Sequence, residues 1–204
     1  TIIELLIETA AFSVIMLVIT AAVIGFTRQY YKGVIASNTQ TTARLIMSEI
    51  TQAIQFGGSI TTDLVDAGTG TGGFCVDNKL YSYIVGQQVS DSGPNAAMHQ
   101  GLHGLVADNS NGLCQAATPS LSVAGQRELL GDKMRLSVFD ISTTDSTTYT
   151  VHIRIIYGED DLIAPDPSSM ASPDWSKENC ELHLASLQYC AVTDLTTTVQ
   201  KRIQ

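Results

Sequence analysis

Residues 1–26, TIIELLIETAAFSVIMLVITAAVIGF, are apolar almost throughout and carry two charges, Glu4 and Glu8, both near the start. About 20 apolar helical residues cross the hydrocarbon layer of a membrane, so a run of this length and purity predicts a span. A carboxylate inside such a segment is costly unless it is paired in the same low-dielectric setting. Glu4 lies too close to its own N-terminus for an easy pair within one helix, so the expected partner is the α-amino group of a neighbouring copy. The stretch therefore predicts an assembly as well as a span.

After Phe26 the sequence turns polar but keeps helical spacing: Ile35, Thr39, Thr42, Ile46, Ile50 and Ala53 recur every three or four residues and mark one face. Gly57-Gly58 is the expected stop, so one helix runs from near Thr1 to Phe56 and spans about 80 Å at 1.5 Å per residue. Three units follow from this. Residues 1–26 form an apolar half-helix and residues 27–56 an amphipathic half-helix packed on a head. Residues 57–204 are the head itself, with a loop region over 57–126 and a sheet plus C-terminal loop over 127–204.

Met134–Ser142 (MRLSVFDIS) and Thr147–Tyr157 (TTYTVHIRIIY) carry the strongest strand patterns, with Tyr149, Val151, Ile153, Ile155 and Tyr157 alternating against polar neighbours. They predict a hairpin across residues 143–146 whose inner face covers the second half of the helix. Residues 190–203 predict a closing strand or strand pair. From Ser59 to Gln126 the chain is rich in Gly, Ser, Thr, Asn and Asp, which predicts long loops with small elements. The exception is a hairpin in which residues 74–76 and 80–85 flank Asp77-Asn78-Lys79.

The chain has 204 residues and a formal charge of −9 with eleven basic residues, which disfavours a nucleic-acid partner. Arg28–Lys32, just past the apolar run, fits the edge of a membrane; Lys201 and Arg202 read as solvated surface. Cys75, Cys114, Cys180 and Cys190 lie outside the apolar run and lack the spacing of a zinc site, so disulfides are expected. Three connectivities are open, and the most local closures are Cys75 with Cys114 and Cys180 with Cys190. His99 and His103 have helical spacing but no third metal ligand, and a solvated pair is the default reading. The acidic loop over residues 158–167 holds carboxylates of the kind that bind Ca²⁺, but only their proximity is visible, so no metal site is assigned. No catalytic motif is present, the Gly run over residues 68–73 follows no strand and opens no helix, and neither an enzyme nor a cofactor is expected.

Thr1-Ile2-Ile3-Glu4-Leu5-Leu6-Ile7 resembles the start of a mature type IV pilin, in which an aromatic or Met residue, Thr and two aliphatics precede a Glu and a long apolar helix. In that family a leader ending in Gly is removed, the new amine is often methylated, and the Glu is the fifth mature residue; here it is the fourth. The resemblance implies an α+β fold with a long N-terminal helix packed against an antiparallel β-sheet head. It also implies a disulfide-closed C-terminal loop, matched here by Cys180 to Cys190. Trp175 lies just before that loop, and its ring suits anchoring the loop onto the head more than stacking on a ligand. The implied assembly residues are Thr1, Glu4 and Glu8. Many members have a Pro in the helix where it loses hydrogen bonds on polymerisation; this chain has none, and Gly25 becomes the expected weak point.

The function so implied is a pilus subunit that polymerises with itself and exposes its head for adhesion and pilus-mediated motility. The implied partners are the inner membrane before assembly, the pilus assembly machinery and a host-cell receptor. The wording of residues 8–26 is similar to pilins of ultrasmall epibiotic bacteria, which implies attachment to a bacterial host. A minor pilin or secretion pseudopilin uses the same helix. A monomeric membrane-anchored binding domain is the reading from another class, and it gains nothing from a carboxylate in its span.

Overall fold

The computed structural model describes residues 1–66, 71–89, 103–108, 119–121, 126–145, 147–164, 177–180 and 189–202. Helix α1 (Ile2–Phe56) is uninterrupted, including at Gly25. A Cβ added at Gly25 would meet nothing within 4 Å, so no close packing in the single chain demands glycine there. The first buried residue of α1 is Thr39, followed by Ala43, Ile46, Met47, Ile50 and Ile54. That spacing is the one face a helix can press on a sheet. It confirms the stripe around Ile46 and Ile50, with Ala53 packed at its margin and Ile54 as its last fully buried member.

Three antiparallel strands receive this face. β6 (Met134–Thr143), β7 (Thr148–Tyr157) and β10 (Ala191–Gln200) form a sheet in the order β10-β7-β6. The pairing Ala191 with Tyr157 through Gln200 with Thr148 runs without a break. Val151, Ile153, Ile155 and Val199 point into one core with Ile46, Ile50 and Ile54. The β6–β7 turn is set by Asp145, whose Oδ1 accepts from the Thr147 and Thr148 backbone N–H groups at 2.8 and 2.7 Å.

The region expected to be mostly loop is a second sheet. β1 (Ile60–Asp66), β2 (Thr71–Val76), β3 (Lys79–Tyr83), β4 (Leu105–Asp108) and β5 (Arg127–Glu128) pair antiparallel in sequence order. The Gly run thus follows a strand after all, and its last two glycines, Gly72 and Gly73, lie in β2, where both are closely packed. A Cβ on Gly72 would lie 2.6 Å from the Tyr83 ring, and one on Gly73 2.8 Å from Pro119. The expected hairpin is present, but Lys79 belongs to β3 and the turn is Asp77-Asn78, with Asp77 at φ 53°. Phe139 of β6 meets Phe74 at 5.4 Å and Tyr83 at 4.7 Å between ring centroids, and Phe74 stacks on Tyr81 at 4.4 Å. These rings join the two sheets into a single core.

α1 ends where three distant segments converge. Gly57 is extended (φ −75°, ψ 144°), so its glycine is not needed for a left-handed cap; a Cβ there would sit 2.3 Å from Val76 Cγ1. Asp77 Oδ1 accepts from the Gly58 and Ser59 backbone N–H groups at 2.7 and 2.9 Å. The chain end returns to the same place: Arg202 N–H donates to Gln55 O at 3.0 Å, its guanidinium lies over the Phe56 ring, and Lys201 Nζ donates to Gly58 O. Lys201 and Arg202 therefore bring positive charge to the carbonyl end of a helix whose own last turn has no basic residue, a favourable placement rather than mere solvated surface.

Candidate functional site

Two parts of the head carry the chemistry expected of the C-terminal loop. Cys180 and Cys190 are joined, which closes the predicted loop. Cys75 is also oxidised; its expected partner, Cys114, lies outside the described residues, as do His99 and Trp175. The bridge has a packing role as well. Cys190 packs with Ile156 and Ile163, with Leu162, Cys180 and Val192 around them, so a small second core covers the outer face of β7. Beside it the buried Arg154 donates to Glu178 O at 2.7 Å and Asn179 Oδ1 at 2.6 Å, holding β9 (Asn179–Cys180) against β7; β9 itself pairs with β8 (Ile163–Ala164).

The described part of the acidic loop, residues 158–164, is held by cations of the chain itself, while residues 165–167 lie outside the described residues. Arg135, buried, donates to Asp160 and to Gly158 O, while Glu159 pairs with Lys133 at 3.0 Å. The Lys133 contact outweighs the partial burial of Glu159 and holds its carboxyl below the usual range. No group of three metal-ligating side chains occurs among the described residues. His103 faces Glu128 at 3.2 Å, and Glu128 also accepts backbone N–H groups from Gly104, Leu105, Leu129 and Leu130. Burial pushes the Glu128 carboxyl up, against the pull of those amides and of His103. This constellation fixes β5 to β4, a structural task that sequence spacing does not reveal.

The unexplained surface of the molecule is the other half of α1. From Ile2 to Val34 every residue is exposed, including Leu5, Leu6, Phe12, Leu17, Val18 and Phe26. The helix is long and apolar enough to cross a membrane, and none of its apolar window is buried. Its hydroxyls are satisfied from within. Thr9 donates to Leu6 O, Ser13 to Thr9 O, Thr20 to Met16 O and Thr27 to Val23 O, at 2.7 to 3.1 Å. A segment surrounded by hydrocarbon needs this, because no water is there to take a free O–H. The run then ends in Arg28, Tyr30, Tyr31 and Lys32, a cationic and aromatic belt of the kind that sits at a membrane edge.

Glu4 departs from the sequence expectation. Its Oε2 accepts from its own Thr1 nitrogen at 3.0 Å, one turn away, so a pair within the helix does form. The geometry is that of a capping box, in which the third helical residue reaches back to the cap nitrogen, and it relieves one of the unpaired donors of the helix start. A single carboxylate oxygen is used, and Oε1 stays free to accept from a second donor. Glu8, Arg28 and Lys32 have no partner among the described residues.

Comparison with family models, with curated proteins and with solved structures gives no match. The chain is α+β, with a long N-terminal helix apolar enough over its first half to cross a membrane, antiparallel sheets and a Cys180–Cys190 bridge.

Proposed function

We propose that this chain is the structural subunit of a type IV pilus, polymerised through α1 and exposing the two-sheet head for adhesion and pilus-mediated motility. The observation that carries the reading is the division of one uninterrupted helix into a half that packs into the head's core and a half that is bare. A bare apolar helix has two stable environments, lipid and a bundle of like helices. The first serves the monomer in the cytoplasmic membrane and the second the extracellular filament. The motif around Glu4 favours the second, since a carboxylate in an apolar helix serves a specific contact. The assembly machinery, a surface receptor on a host cell and methylation of the amine belong to the same proposal.

Electron microscopy of the purified chain tests it, with filaments expected; discrete detergent-bound particles alone would overturn it. The belt at Arg28–Lys32 and the internally bonded hydroxyls suit a monomeric membrane anchor equally well, and that outcome would select the anchor. Within the filament reading, Glu4→Ala removes the contact to Thr1, at a cost to the helix start of about 1 kcal/mol. The head remains folded by circular dichroism and filaments fail; abundant filaments from this variant would remove Glu4 from the assembly mechanism. Gly25 remains the proposed weak point of α1 in the assembled state, where Gly25→Ala would favour the helical form by about 1 kcal/mol.

A further inference from the structure

The first 34 residues carry only four charged side chains, two acidic and two basic, so the side-chain charges of the bare half of α1 cancel while the remainder of the chain carries the whole formal charge of −9. The acids stand one helical turn apart, at positions 4 and 8, and so do the bases, at positions 28 and 32. Side chains four apart share a face, so each pair presents a double charge on one side of the helix. Arg28 follows Glu4 by 24 positions and Lys32 follows Glu8 by the same 24 (4 to 28, 8 to 32).

We propose that parallel copies of α1 pack at a single axial stagger that seats Glu4 and Glu8 of one copy against Arg28 and Lys32 of the next. The proposal rests on the filament reading above and names the contact that sets its register. At 1.5 Å per residue the stagger is about 36 Å. Other offsets satisfy less: shifting by 20 positions matches Glu8 with Arg28 alone, and by 28 matches Glu4 with Lys32 alone. Stretching of the helix between Thr9 and Thr27 would lengthen the stagger but keep the double match, since each pair keeps its own one-turn spacing. The contact also answers where the bare charges go. Glu8, Arg28 and Lys32 lack partners among the described residues, and Glu4 has an oxygen to spare.

The same spacing dictates the kind of assembly. Over 24 residues the helix turns through 6.67 turns, which leaves the acidic and basic faces about 120° apart on each helix. One face meets the neighbour ahead and the other the neighbour behind. Such a head-to-tail contact propagates instead of closing into a two-fold dimer. In the apolar interior of a bundle, placing like charges together is strongly penalised, so any other register near these positions is disfavoured as well as unrewarded.

Cross-linking of full-length filaments tests the stagger. All cysteines among the described residues are oxidised, so introduced thiols are the reactive ones. Glu8→Cys combined with Lys32→Cys, treated with a short bis-maleimide, should give a denaturing-gel ladder of dimers, trimers and higher multimers. Each single cysteine, and an off-register pair of Glu8→Cys with Thr20→Cys, should give monomer. Filaments that form without a ladder, or with an equal ladder from the off-register pair, overturn the stagger and leave the filament reading standing. If the unmodified chain forms no filaments, both fall.

Charge exchange supplies a second measurement that does not depend on the cysteine variants assembling. Glu8→Lys or Lys32→Glu alone should lower filament yield at least about tenfold, and the two together should return it to within about threefold of the unmodified chain. Normal assembly of the single variants, or no recovery in the double, overturns the pairing. Membrane insertion is measured alongside, because charges that act only as anchors would change insertion and leave the double variant unrescued.

Discussion

Leu17 and Ile50 lie on the same uninterrupted helix, yet the first is 71% exposed and the second is fully buried. Both are aliphatic, and helix propensity barely separates them. What differs is the company. Around Ile50 the opposite helix face carries Ser48, Glu49 and Gln52, and Glu49 reaches Lys79 of β3 and Arg127 of β5. Around Leu17 every face is apolar and hydroxyls turn inward. A helix with one apolar face is matched by one sheet; a helix apolar all round needs a partner on every side. The head can supply the first and no single head can supply the second.

Truncating each residue tests the contrast most severely. Ile50→Ala should cost about 2–5 kcal/mol of head stability, because the surrounding core closes only partly over the void. Leu17→Ala should stay within about 0.5 kcal/mol in the detergent-solubilised monomer. Chemical unfolding of both variants reads this, and an equal loss from Leu17→Ala would mean that the bare half contributes to the fold of the single chain.

The outer face of β7 sharpens the contrast within the head. Cys180→Ser with Cys190→Ser should cost about 3 kcal/mol on the chain-entropy account, plus part of the small core around Ile156 and Ile163. Amide exchange should rise first at Ile163 and Cys190 and leave Ile50 and Ile153 protected. Loss of protection at Ile50 at the same rate would merge the two cores into one cooperative unit.

At the joint between helix and sheets the expected effect is smaller. Gly57→Ala presses a methyl group against Val76 Cγ1 and Ala53 O, at a cost of about 1–3 kcal/mol. Gly25→Ala, which meets nothing, should be neutral or stabilising in the monomer. Thermal unfolding of the two alanine variants side by side checks the difference, and equal behaviour would show that the joint yields.

The smallest effect is electrostatic. Burial pushes the Glu49 carboxyl up, but its contacts to Lys79 and Arg127 outweigh this and hold it below its ordinary value of 4.5. A carboxylate depressed in the folded state adds stability that is present above the unfolded value and lost as pH falls through the folded one. Glu49→Gln should therefore be less stable than the unmodified chain at neutral pH and approach it below pH 4.5. A gap that persists unchanged in acid would assign the role of Glu49 to packing.

The amino-acid order alone determined the length of α1, the apolar character of its first half, the Ile46–Ile50 face, the β6–β7 hairpin and the Cys180–Cys190 pairing partners in closest reach. These are local properties, set by period, turn chemistry or short loop closure. Only the tertiary structure decided that the Gly-rich region joins a five-stranded sheet, because β4 and β5 extend the local hairpin through partners distant in sequence, Tyr83 with Leu105 and Val106 with Glu128. It likewise decided that Arg135 and Arg154 are buried anchors and that Arg202 returns to the end of α1. The Glu4–Thr1 bond is local, yet counting residues from the chain start hides it, because a side chain three positions into a helix points back toward that start. What periodicity encodes is which face of an element is apolar, and what folding adds is which distant atoms that face makes into neighbours.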